Sequence, residues 1–190
     1  MATHVALLRA VNVGGRKIAM ADLREVVRAL GHTDVRTYIQ SGNVVFSSAR
    51  DDTVRVGAEL EAAVSGLLGA QVPVVVLSRD DLAAAIDGNP YPAEPDPRRV
   101  HGVFLPADPA PDAAGYVREA VATVTAQGSG DTATLRGRVL YLHTPAGFGD
   151  SLLARSLLSR RSSPVAAGTA RNWATITRLL ALCQDAAAGS

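Results

Sequence analysis

Cysteine is nearly absent from this 190-residue chain, where Cys183 stands alone. One thiol can close no internal disulfide and build no cysteine-based metal cluster. Lysine is just as scarce: Lys17 is the single example, and every other cation is arginine. Arginine suits bidentate contacts to phosphate or carboxylate, yet so complete a bias also fits GC-rich coding. Aromatic residues make up 4%, short of the aromatic-rich central strands that sequence-reading RNA-recognition sheets use. No apolar run approaches the roughly 18 residues that span a bilayer. The opening Met-Ala-Thr-His-Val-Ala-Leu-Leu-Arg has no basic segment ahead of its short apolar run, so it reads as a first strand and not as a secretion signal. No histidines and carboxylates share metal-ligand spacing, so no metal and no cofactor are expected. These absences together predict a cytoplasmic protein without a membrane part.

What is present is ordinary globular material, 47% hydrophobic and 19% charged, enough for one large domain or two small ones. The net charge of +1 hides an asymmetry. From Asp80 to Asp131 nine acids face three arginines, whereas from Arg136 to Arg178 seven arginines face one acid, Asp150.

The apolar pattern gives an order of elements. Val5 to Val11 is a strand ending in Asn12-Val-Gly-Gly15, and Ala19 to Leu30 is a helix closed by Gly31. Strands over Val35–Ile39 and Val44–Ser47 flank Gln40-Ser-Gly-Asn43, a helix runs from Val54 to Leu68, and Val72–Leu77 is β-branched. This β-α-β-β-α-β order is the split-βαβ, ferredoxin-like arrangement, with both amphipathic helices on one face of an antiparallel sheet. The second half partly repeats it: helix Asp80–Asp87, strand Val100–Leu105, helix Ala113–Ala126, a hairpin around Gly137, helix Ser151–Leu158 and a last helix Thr169–Ala187. Between the first two lies Asn89–Pro97, whose four prolines forbid regular structure and suggest a connector. The class is therefore α+β, with halves at 1–79 and 80–190 and a proline-rich connector at 89–97.

Four stretches carry a resemblance: LLRAVNVGGRKIAMADLR (Leu7–Arg24), VRTYIQSGNVVFSS (Val35–Ser48), TARNWATITRLL (Thr169–Leu180) and, more weakly, YLHTPAGFGDSLL (Tyr141–Leu153). In this order they resemble the bacterial proteins catalogued as domain of unknown function 1697. The resemblance implies two ferredoxin-like halves in a compact body and carries no mechanism. Ala174 and Ala146 stand where asparagines are expected, which weakens any scheme of amide contacts at those two positions.

Three polar clusters are candidate ligand sites. In the first, Arg9, Asn12, Gly14, Gly15, Arg16 and Lys17 lie where a strand hands over to a helix. Free amides at a helix start, two glycines and flanking cations can hold a phosphate. The spacing matches neither a Walker loop nor the dinucleotide fingerprint, and the plainer reading is a turn needing positive φ with solvated cations. The second is Gln40, Ser41 and Asn43, either a hairpin turn or a polar rim reading a base or an acid group. Ser41 lacks the strand-elbow-helix setting of a hydrolase nucleophile. The third is Arg171, Asn172 and Trp173. A helix starting near Thr169 or Asn172 places Trp173, Ile176, Leu180 and Cys183 on one packed stripe and Arg171, Thr175 and Arg178 on the polar face. Arg171 and Asn172 then leave a first turn whose dipole favours an anion.

Three functions are open: a non-enzymatic protein binding nucleic acid or another phosphate-bearing ligand, favoured by the arginine-rich C-terminal half; an enzyme acting on a small anionic metabolite in a cleft between the halves; and a structural or partner-binding protein without ligand. No base or nucleophile is recognisable for the second, and the sequence leaves the oligomeric state open.

Overall fold

The computed structural model describes residues 2–12 and 17–188. Among these the chain is α+β, with two four-stranded antiparallel sheets and six helices. By contacts it divides into two units, Met1–Ala84 with Thr177–Ser190, and Ala85–Ile176. The division falls inside helix α3 (Arg79–Asp87), and the proline-rich segment 89–97 lies within the second unit. No helix among the described residues is long and apolar enough to cross a membrane.

In the first unit the order is β1 (Ala2–Leu8), α1 (Met20–Ala29), β2 (Thr33–Tyr38), β3 (Asn43–Ser48), α2 (Thr53–Leu68) and β4 (Val74–Ser78). The sheet runs β2-β3-β1-β4, every neighbouring pair antiparallel. Side chains alternate across a strand, so Ala6, Leu8, Val44, Phe46, Val74 and Val76 share the face that packs with Leu23 and Val27 of α1 and Val56, Leu60 and Val64 of α2. Strand β1 begins at Ala2 and not at Val5, because polar His4 is fully buried and stacks on Phe46 at 5.7 Å. It stops at Leu8, short of Val11, because Ala10 and Asn12 take left-handed φ values of 54° and 57°. Helix α2 is capped at both ends. Asp52 accepts from the Val54 and Arg55 amides, and Gly69 ends the helix at φ 61°.

The second unit has β5 (Val100–Phe104), α4 (Ala113–Ala126), β6 (Thr132–Arg136), β7 (Val139–His143), α5 (Leu152–Ser159) and β8 (Thr169–Asn172), with sheet order β6-β7-β5-β8. Val103, Leu140 and Leu142 pack with Val117 and Val124 of α4 and Leu153 and Leu157 of α5. The other face carries Tyr141, whose hydroxyl donates to the Ala85 carbonyl at 2.9 Å. Gly102 lies on the same row of this face, and a Cβ there would stand 2.8 Å from the Ile176 side chain. Only glycine lets the first turn of α6 (Trp173–Ala188) come so near the sheet.

One expectation fails here. Thr169–Asn172 is strand β8, hydrogen-bonded to β5 with His101 opposite Asn172 and Gly102 opposite Arg171. The apolar spacing of the following helix runs back through these residues, but β5 offers an open edge, and sheet pairing outweighs a helical period only four residues long.

Candidate functional site

The first two polar clusters form one structure. The Asn12 side-chain amide donates to the Gln40 carbonyl at 2.7 Å and to the Ile18 carbonyl at 3.2 Å, while its Oδ1 accepts from the Ile18 amide at 3.0 Å. One asparagine thus closes the β1–α1 loop on itself and ties it to the β2–β3 turn. The Leu8 amide donates to the Gly42 carbonyl at 2.8 Å. Gly42, at φ +70°, is pressed so close that a Cβ would meet Val11 at 2.4 Å and Leu8 at 2.8 Å. Hairpin-turn chemistry accounts for Gly42 as the sequence suggests. The contact with the end of β1, 34 residues upstream of it at Leu8, is tertiary and has no local signal.

Within this pair of loops the residues divide by exposure. Asn43 is fully buried, and its Nδ2 donates to the Tyr38 carbonyl at 3.1 Å and the Ser41 hydroxyl at 2.9 Å. Its amide serves turn closure. Ser41 is half-buried, and its hydroxyl accepts from the Asn43 amide. Gln40 and Lys17 are exposed, and Arg9, one residue beyond β1, is half-buried with its main-chain N–H on the Pro73 carbonyl. Arg9 follows the Val5 and Leu7 row, opposite the face that packs on the helices, and a cation there belongs at the strand end. Gly14, Gly15 and Arg16 lie outside the described residues. The backbone here is strained: besides Ala10 and Asn12, the β-branched and exposed Ile39 has φ 49°, a conformation costing about 1–2 kcal/mol.

The third cluster belongs to the second unit and differs from its reading. Arg171 is a residue of β8 and not of a first helical turn, and its Nη1 donates to the Ala170 carbonyl at 2.8 Å. Although half-buried by surface area, its guanidinium lies deep enough for burial to push its pKa down to about 10. Asn172 does cap α6: its Oδ1 accepts from the Thr175 amide at 2.9 Å. Trp173 is half-buried, with its ring 6.1 Å from Tyr141 and its main-chain N–H on the Pro97 carbonyl. The buried stripe of α6 is Ile176, Leu179, Cys183 and Ala186, not the line through Leu180. Thr175, expected on the polar face, is buried. The two lines share Ile176 and Cys183, and the buried side extends to Leu179 and Ala186. Cys183 is fully enclosed, and burial drives its thiol pKa up to about 12.

Two features of the second unit escaped the sequence reading. Glu94, in the proline-rich segment, meets His143 Nε2 at 2.7 Å, with Tyr91 stacked on the same imidazole at 5.3 Å. Nothing in their spacing, 49 residues apart, announces this pair. Its nearest signal is an acid among prolines, which have no other reason to be fixed in place. Second, α4 and α5 enclose a groove lined by Leu152, Arg155, Ser156, Ser159 and Arg160 opposite Thr123 and Gln127, with a volume of about 390 Å³. No group of three His, Cys, Asp or Glu side chains able to hold a metal occurs among the described residues.

Residues 1–141 match the family described as protein of unknown function (DUF1697). No curated protein matches the chain. Among solved structures it is similar to a conserved bacterial protein from Streptococcus pneumoniae, at 22% identity and a TM-score of 0.70, over 97% of this chain and 99% of the other. That likeness supports the fold alone. With the family match spanning most of its length, the chain belongs to the DUF1697 family.

Proposed function

We propose that the protein binds a phosphate-bearing ligand, nucleic acid or nucleotide, at the joined β1–α1 and β2–β3 loops, without chemistry of its own. The supporting observation is the Asn12 lace. It holds two loops in strained backbone conformations at one end of a sheet, with Arg9 and Lys17 on the flanking segments. Strain is retained where a fold over-determines it, and such places cluster at binding sites. In this reading Arg9, Lys17, Gln40 and Ser41 contact the ligand, while Asn12, Gly42 and Asn43 position them. Each half is read as a ferredoxin-like split βαβ, a reading supported by the repeated β-α-β-β-α-β order and the matching strand orders.

The test is a titration of the full ¹⁵N-labelled chain with pyrophosphate, a mononucleotide and a single-stranded oligonucleotide at low and moderate salt. Amide shifts are expected at residues 8–12, 17–18 and 39–43, weakening as salt rises. Replacing Lys17 by Gln should lower the affinity several-fold with the melting temperature unchanged. Shifts confined to other segments, or none at millimolar ligand, would remove this reading.

A further inference from the structure

Many arginines of this protein are already engaged. Arg28, Arg50, Arg55, Arg79, Arg98 and Arg99 pair with carboxylates, and Arg24, Arg136 and Arg138 donate to a hydroxyl or to carbonyls. Arg155, Arg160 and Arg161 do neither among the described residues, as is true of Arg36, Arg118 and Arg178, but these three lie within seven residues of one another on α5 and its exit. Two of them line the α4–α5 groove. Cavities adjoin it at both ends: one of about 200 Å³ reaches Phe148 through Arg155 and Ser159, and one of about 200 Å³ reaches Tyr116 through Ser156 and Arg160. The single carboxylate along this path is Glu119, in the cavity beside Tyr116. Leu152, 48% exposed, adds an apolar side chain to the lining.

We infer that this groove binds the backbone of single-stranded nucleic acid, with Arg155 and Arg160 on its phosphates. Unpaired guanidiniums in a groove, with hydroxyls between them, suit a site that holds a strand by its phosphates and not by its bases. A small ligand needs enclosure on most sides, and this groove has only α4 and the α5 segment as walls. Arg155 stands on α5 and Arg160 at its C-terminal cap, five residues on, so the two cations can meet separate phosphates. The groove shares no residue with the loops of the first unit, so it stands or falls independently of the reading above.

The experiment is fluorescence anisotropy of a labelled oligothymidylate against the full chain across a salt series, with a duplex of equal length and inorganic phosphate as competitors. Wild-type protein should bind the single strand in preference to the duplex. In the double variant R155Q/R160Q the slope of log affinity against log salt should shrink by about 1.4, two phosphate contacts at roughly 0.7 each on a single strand. R155K/R160K should keep the slope, showing that charge and not fold was lost. Amide shifts on strand addition should centre on Leu152–Arg160. An unchanged slope in R155Q/R160Q, equal preference for duplex, or displacement by millimolar phosphate alone overturns the inference.

Discussion

The side chain of Asn12 reaches the main-chain carbonyl of Gln40, 28 residues away in sequence, at 2.7 Å. Asn12 holds φ 57°, a conformation that asparagine tolerates and alanine resists. Asn12→Ala should therefore lose both the lace and the backbone fit, at about 2–4 kcal/mol. Asn12→Gly restores the fit and should lie between alanine and wild type. Urea melts of the three proteins rank them, and an alanine variant as stable as wild type would show that the lace contributes nothing.

Gly42 offers a sharper case. A methyl there would collide with Val11 at 2.4 Å at a φ of +70°, so Gly42→Ala should cost at least 2 kcal/mol through combined overpacking and strain. Gly66, with nothing near its would-be Cβ, serves as control: Gly66→Ala inside α2 should stabilise by about 0.5–1 kcal/mol. If the two substitutions shift the urea midpoint alike, the close approach at Gly42 is absent.

Acid should weaken the second unit through His101. Burial lowers its pKa from 6.5 to about 4, and its ring stacks on Phe148 at 4.1 Å. The folded protein thus binds fewer protons than the unfolded chain between these values. Stability is full above pH 6.5, falls as pH drops through that window, and levels off near 4, with about 3 kcal/mol lost. His32, lowered by burial and then by Arg50 and His4, acts in the same direction. Chemical denaturation from pH 7.5 to 4 checks this, and His101→Leu should flatten the profile.

The Glu94–His143 pair should hold the proline-rich segment. The Asp96 amide and then His143 lower the Glu94 carboxyl below its ordinary range, so this tether is present at neutral pH and lost as pH falls through the carboxylate range. Glu94→Gln should raise hydrogen exchange at Tyr91, Glu94 and Asp96 at neutral pH while the core strands stay protected. Uniform exchange across the unit would instead mean global destabilisation.

Much of the architecture was legible because it is written in local periods: α4 and β7 match their residue spans, and Ser151 marks a helix start by its chemistry. What stayed hidden depends on partners far along the chain. His4 belongs to a strand because Phe46 receives it. Thr169–Asn172 is a strand because β5 has a free edge. The same holds for the site. Polar residue types flagged the β1–α1 and β2–β3 loops, but only the fold shows that Asn12 joins them and that Asn43 faces inward. The α4–α5 groove was passed over because solvated arginines on a helix are the common case.

The assignment of Thr177 onward to the first unit has a consequence for biosynthesis. A ribosome finishes Met1–Ala84, then must make the whole intervening stretch before the helix that completes the earlier module emerges. At about 5–20 residues per second that delay is roughly 5–20 s. During it the nascent N-terminal piece lacks a share of its contacts, whereas the later module has all of its own. The order of maturation therefore runs against the order of translation.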